Sequence, residues 1–286
     1  SGATATLTSN GTGNLLLNTN SGTNSSAIEI TDAANGNIDL TTNGTGAIKF
    51  NDVSFTYPDT GIQAIKDFSL KLEPGQKLAI VGKTGSGKTT IADLLLRMYD
   101  VSEGAITIDG KDLREHDLAN LRQRIGYVPQ DVFLFSDTVG NNIAFGRRSA
   151  SREEVEQFAR YASVYEDISG LKEGFDTMVG ERGVTLSGGQ KQRVSIARAL
   201  IKHPDIIILD DCLSAVDTNT EKDILGYFNE FLAEKTTIII THRIYSLLAF
   251  DKIIDVILGY KFGREAVELL EVFRNLGFLT CDVGNR

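Results

Sequence analysis

The run KLAIVGKTGSGKTTIADLLLRMY, residues 77–99, constrains this chain more than any other stretch. Its first part, 77–82, is apolar and reads as a buried strand, and 89–99 has the spacing of a helix. Between them, Gly82 to Thr89 fit the pattern G-x-x-x-x-G-K-[ST]. A strand that enters a helix through a glycine-rich turn makes a cradle for an anion. Gly85 and Gly87 let the backbone turn tightly and aim N–H groups inward. The helix N-terminus adds positive partial charge. Lys88 can then reach the outer phosphates of a nucleotide, and the Thr89 hydroxyl can ligate Mg²⁺. Gly82, Lys83, Thr84, Gly85, Ser86, Gly87, Lys88, Thr89 and Thr90 are therefore expected to bind ATP.

Such a cradle needs a carboxylate on a second strand to hold the metal. The stretch DIIILDD (205–211) offers one: four apolar residues end in Asp210 and Asp211. Asp210 is the expected Mg²⁺ ligand, directly or through water. Asp211 would lie beside the γ-phosphate, placed to polarise an attacking water.

The texture of the chain changes along its length. Residues 1–46 are rich in Asn, Gly, Thr and Ser and hold neither Lys nor Arg. Short apolar alternations such as AIEIT (27–31) and NIDLTT (37–42) lie between Asn-Gly pairs. They read either as short strands with tight turns, in coils of a solenoid or fibre, or as a flexible polar leader. The leader resembles repeats of phage tail fibres and bacterial adhesins in composition. From 47 onward, apolar runs alternate with helical patterns, including KTTIIITH (235–242) and SREEVEQFARYASVY (151–165), the latter opening on a capping box from Ser151 to Glu154. That alternation implies an α/β domain with a largely parallel sheet. In the tail, REAVELLEVFRNLG (264–277) sets Ala266, Leu269, Leu270 and Phe273 on one helical face.

Composition limits the partners. The net charge of −9 argues against nucleic acid as the main one. No apolar stretch reaches the ~18 residues of a membrane span. Cys212 and Cys281, the only cysteines, imply no disulfide framework.

A second glycine cluster, LSGGQKQRVSIARAL (186–200), begins a helical run whose N-terminus is another anion-binding end. With it, residues 47–253 resemble the nucleotide-binding domain of ATP-binding cassette (ABC) transporters. The Walker A loop is 82–89, the signature LSGGQ is 186–190 and the Walker B strand is 206–210. The resemblance implies a P-loop cassette with a RecA-like core, an antiparallel β subdomain and a helical subdomain. Its boundaries are expected as leader 1–46, cassette 47–258 and a non-family helical tail 259–286. It also implies roles. Tyr57, in FTYP, would stack on adenine. Gln130, in YVPQD, would touch Mg²⁺ and the attacking water. Asp217, in SAVD, belongs to the D-loop, and His242, in ITH, would contact the γ-phosphate. Lys88, Gln130, Asp211 and His242 are thus the expected catalytic set, with Thr89, Gln130 and Asp210 at the metal. VGERG (179–183) and LFSDTVGNNIAFG (134–146) are similar to the exporter branch.

In this family two domains pair head to tail and trap ATP between the Walker A loop of one and the signature of the other. Ser187, Gly188, Gly189 and Gln190 would serve the partner's nucleotide. The expected partners are a second such domain and the membrane domains of an exporter, at the cytoplasmic face of a membrane. Three departures accompany the resemblance. The family residue at 211 is Glu, so Asp211 is either a slower base or the mark of a weak site in an asymmetric pair. A polar leader stands where exporters carry membrane helices. After DKII (251–254) the closing hairpin is not recognisable, so a fusion or fragment is the further alternative.

Overall fold

The computed structural model describes residues 15–18, 27–30, 46–180, 185–241, 250–257 and 260–262. The chain divides into two compact units, 1–45 and 46–286. In the first, β1 (Leu15–Asn18) pairs antiparallel with β2 (Ala27–Ile30), Leu16 facing Glu29. The other repeat phrases of the leader lie outside the described residues, as does the tail stretch 264–277.

The second unit opens with β3 (Ile48–Thr56) and β4 (Gln63–Leu72), followed by β5 (Lys77–Val81) and α1 (Lys88–Leu95). After β6 (Glu103–Ile108) and β7 (Lys111–Asp112), α2 (Leu118–Arg124) runs straight into β8 (Ile125–Val128). Four helices follow: α3 (Val139–Ala144), α4 (Arg152–Tyr161), α5 (Tyr165–Ser169) and α6 (Gly188–Leu200). The last elements are β9 (Ile206–Asp210), α7 (Thr218–Phe231), β10 (Thr236–Ile240), β11 (Lys252–Ile257) and β12 (Tyr260–Phe262).

Two sheets result. One is antiparallel, in the order β4-β3-β6-β7; the other runs β12-β11-β5-β10-β9-β8 and is parallel except at β12. The period-2 alternation of the buried strands explains the layering. Ile206 and Ile208 of β9 join a core with the antiparallel sheet and α1, while Ile207 and Leu209 face a second core built from α3, α4, α6 and α7. This is the expected α/β cassette of a RecA-like core with antiparallel β and helical parts. Arg124 ties these parts together, pairing with Asp109 at a turn of the antiparallel sheet and with Asp205 before β9.

Two local expectations are refined. The capping box at Ser151 is present, with both reciprocal bonds to Glu154. The helix expected over 89–99 stops at Leu95, because Arg97 takes a left-handed φ of 49°. Its N–H donates to the Leu94 carbonyl and that of Met98 to the Asp93 carbonyl, the paired bonds of a Schellman end. At the far end, β11 and β12 form an antiparallel hairpin with Val256 opposite Lys261. The chain after Ile254 thus keeps extending the sheet, although its residues do not resemble the family's hairpin.

Candidate nucleotide-binding site

The parallel strands β5, β9 and β10 all end at one edge: Ile240 is level with both Ile80 and Asp210. Ligands of open α/β sheets bind beyond such carboxyl ends. A cavity of about 460 Å³ lies there, lined by Tyr57, Thr84–Thr90, Gln130, Asp210 and Asp211, with Ile62, Gln63, Ala64 and Ile240. It gathers most of the residues expected from sequence.

The turn after β5 has the geometry that only glycines allow. Gly82 has φ of 146°, and a Cβ there would lie 2.5 Å from the Val256 carbonyl oxygen. Gly87, at φ of 96°, would meet the Ala64 carbonyl at 2.7 Å. Any side chain at either position forces backbone apart. The buried Lys88 donates from Nζ to the carbonyls of Gly82 (2.9 Å) and Lys83 (2.8 Å). Those two bonds fold the ammonium back over its own loop, at the place a polyphosphate would occupy. Burial lowers its pKa, opposed by the nearby carboxylates of Asp210, Asp211 and Asp255.

Asp210 is 1% exposed, and its Oδ2 has no hydrogen-bond partner among the described residues. The Thr89 hydroxyl bonds the carboxyl group, and burial raises its pKa above the usual carboxylate range. A buried carboxylate oxygen without a donor is costly unless a cation completes it. Together with the Thr89 hydroxyl and the Gln130 amide this makes an all-oxygen set, the kind Mg²⁺ takes. The residues therefore fit the metal. One consequence follows for the nucleotide-free chain. Because its folded pKa is raised, Asp210 is least costly protonated, and its charge subtracts stability as pH rises through that pKa. Asp210→Asn is therefore expected to raise the melting temperature of the nucleotide-free chain by about 2–4 °C per kcal/mol relieved. In the same variant calorimetry should lose the Mg²⁺ dependence of ATP binding; an unchanged dependence would remove Asp210 from the metal site.

Tyr57 is half-buried beside the cradle. Its hydroxyl pairs with Thr90 Oγ1 at 2.9 Å, and its ring packs edge-on against Phe55 and Tyr99. Asp211 takes φ of 44°, and its N–H donates to the Ile240 carbonyl at 2.8 Å.

Ser187, Gly188, Gly189, Gln190 and Asp217 do not line this cavity. Ser187 caps α6 through a second capping box, its Oγ accepting from Gln190 N–H and its own N–H donating to Gln190 Oε1. Asp217 receives the N–H groups of Asn219 and Thr220 at the start of α7. Ser187, Gly188 and Asp217 are exposed. His242 and residues 181–183 of VGERG lie outside the described residues. Sequence reasoning missed Asp255, which stands level with Val81 on β11 and acts on Lys88. It also missed Gln192, whose amide bonds Ser214 and Ala215. Neither carries a local signal, since both contacts join segments distant in sequence.

Comparison with known proteins gives the family. The family model described as ABC transporter matches residues 65–214. The ATP-dependent lipid A-core flippase of Escherichia coli (strain K12) is 46% identical over 211 residues, covering 73% of this chain and 36% of the flippase. The flippase of Shigella flexneri matches with the same figures. The chain thus spans little more than a third of these relatives' length. Among solved structures, a bacterial Atm1-family ABC exporter with ATP bound superposes with a TM-score of 0.77 at 39% identity, covering 90% of this chain and 45% of that one. With the cradle, the orphaned carboxylate and the signature turn in place on this fold, the chain belongs to the ABC transporter family, as a nucleotide-binding domain of the exporter type.

Proposed function

We propose that this domain binds MgATP and hydrolyses it slowly, pairing head to tail with a second nucleotide-binding domain to drive an exporter's membrane domains. The observation that carries the binding reading is the buried Oδ2 of Asp210, without a donor among the described residues, on a carboxylate that lines the same cavity as Lys88. In this reading Gly82 to Thr90 hold the phosphates through backbone N–H groups, and Lys88 neutralises the outer ones. Tyr57 stacks on adenine. Thr89, Gln130 and Asp210 hold Mg²⁺, which neutralises charge developing on the phosphates. Asp211 orients the attacking water, with His242 as the family's γ-phosphate contact. The signature residues Ser187 to Gln190 and Asp217 serve the partner's nucleotide, which accounts for their absence from the lining of this chain's own cavity.

An apolar surface supports the membrane partner. Met98, Phe133, Phe135 and Phe145 are 59%, 67%, 38% and 47% exposed. Beside them lies a groove of about 450 Å³ lined by Leu96, Met98, Arg122, Tyr127, Phe145 and Arg198. Large exposed apolar patches mark interaction sites. A cytoplasmic helix of the membrane domains would seat there, placing this domain at the cytoplasmic face. No helix among the described residues is long and apolar enough to cross a membrane. The leader 1–46 and the tail 259–286 are assigned no part in this function.

Calorimetric titration with ATP, with and without Mg²⁺, tests the reading: well-folded protein that takes up no ATP in either case would overturn it. A second arm tests the adenine contact. Base–aromatic stacking contributes about 1–3 kcal/mol, so Tyr57→Ala is expected to weaken ATP binding roughly 5- to 150-fold. Tyr57→Phe, which keeps the ring and loses the bond to Thr90, should stay within about threefold of the parent. Equal losses in both variants would show that the hydroxyl, not the ring, matters.

A further inference from the structure

Gln192 lies on α6, five residues after Ser187, and is only 6% exposed. Its amide Oε1 accepts the N–H of Ala215 at 3.1 Å. Its Nε2 donates to Ser214 Oγ at 3.1 Å. The Ser214 hydroxyl donates to the Asp211 carbonyl at 2.9 Å. The Asp211 N–H donates to the carbonyl of Ile240, the last residue of β10, at 2.8 Å. The direction of every bond is forced. A backbone N–H can only donate, so Oε1 must face Ala215. That leaves Nε2–H for Ser214, whose single proton is then free for Asp211. The signature turn also rests directly on this segment: a Cβ at Gly189 would stand 2.8 Å from the Ala215 carbonyl oxygen.

We propose that Gln192 is a positioning residue that links the signature turn to the main chain of Asp211 through Ser214. The inference rests on the functional reading above, in which the signature turn and Asp211 of one chain serve two different nucleotides. A shift of α6 when the partner's ATP engages Ser187 and Gly189 is then passed along fixed hydrogen bonds to Asp211, and the two sites of a pair act together. Gln192 touches neither nucleotide and is not itself catalytic.

The test compares the wild-type chain with Gln192→Leu, which keeps the volume and loses both bonds, and Ser214→Ala, which breaks the link at an exposed position. A Ser214→Thr variant retains the hydroxyl. Fluorescent-nucleotide binding, steady-state MgATP hydrolysis across ATP concentration and melting temperature are read for each. Both disrupting variants should bind nucleotide within about twofold of wild type, yet lose tenfold or more in kcat, as misplacement of a reacting group does. Their Hill coefficient should fall toward one while KM stays nearly constant, and Ser214→Thr should recover most of the turnover. If Ser214→Ala turns over ATP with wild-type kcat and cooperativity, the link has no such role. Parallel loss of binding, turnover and melting temperature would overturn it equally, since that is what plain loosening produces. Should Gln192→Leu fail to fold, Ser214→Ala decides alone. A wild-type chain that takes up no MgATP refutes the functional reading instead. One that binds MgATP and never cleaves it refutes the positioning role and leaves the binding reading standing.

Discussion

Lys88→Met weakens ATP binding by at least two orders of magnitude while leaving the fold as stable as before. Both halves of this expectation come from the environment of one ammonium group. Lys88 is 7% exposed, and its Nζ is held by the carbonyls of Gly82 and Lys83 at the spot where phosphate oxygens would arrive. Hydrogen bonds to charged groups contribute about 1.5–3 kcal/mol each. Removing two such bonds to phosphate corresponds to roughly 10²- to 10⁴-fold in affinity. Stability behaves otherwise. Burial lowers the pKa of Lys88, so the charged form is a net cost to the fold, one that sets in as pH falls below the unfolded pKa and is complete below the folded one. Methionine keeps the aliphatic length and removes the charge, and the two loop carbonyls turn to water. Calorimetry beside a melting curve checks both. Affinity within threefold of the parent would mean that the cradle does not hold the phosphates through Lys88.

What was legible in the sequence follows from the range of the physics. The Lys88 loop could be read because strand, turn and helix are contiguous, and its glycines answer to local dihedral demands at Gly82 and Gly87. The capping box at Ser151 was readable for the same reason. The end of α1 was not: apolar spacing continues through Leu96, and only the left-handed Arg97 stops the helix. The antiparallel sheet came through resemblance rather than pattern. Strand β3 shifts register after Phe50 where it pairs with β4 and after Asn51 where it pairs with β6, which breaks simple alternation. Contacts such as Gln192 with Ser214, or Asp255 beside the cradle, join segments far apart in sequence and leave no periodic trace. The signature residues show the complementary case. Their sequence is unmistakable, yet within one chain they line no part of its own cavity, as the proposed pairing with a second domain requires.

Asp211→Glu should raise turnover about 10- to 100-fold and lower stability by up to about 1 kcal/mol. The aspartate carboxylate falls short of the family's glutamate by one C–C bond, about 1.5 Å. A backbone shift could close that gap only if the main chain at 211 were free to move. It is not: the N–H is bonded to Ile240, and the carbonyl accepts both the Ser214 hydroxyl (2.9 Å) and the Ser214 N–H (3.2 Å). The φ of 44° adds a second constraint. Aspartate visits the left-handed region more readily than longer side chains do, which is why the gain in reach costs some stability. In a domain of this size that cost amounts to a loss of about 2–4 °C in melting temperature. Asp211→Asn, with no carboxylate to polarise water, should fall below the parent in turnover while binding MgATP as well or better, since a negative charge beside the γ-phosphate is gone. Steady-state hydrolysis by the three purified forms at saturating MgATP separates the two readings of this position. If the glutamate variant is no faster than the parent and the asparagine variant is inactive, Asp211 already reaches its water from this backbone and the site is a full one. A large gain from glutamate marks the chain as the slow-hydrolysing member of its pair, whose intact signature completes a faster site on a partner that carries the longer acid.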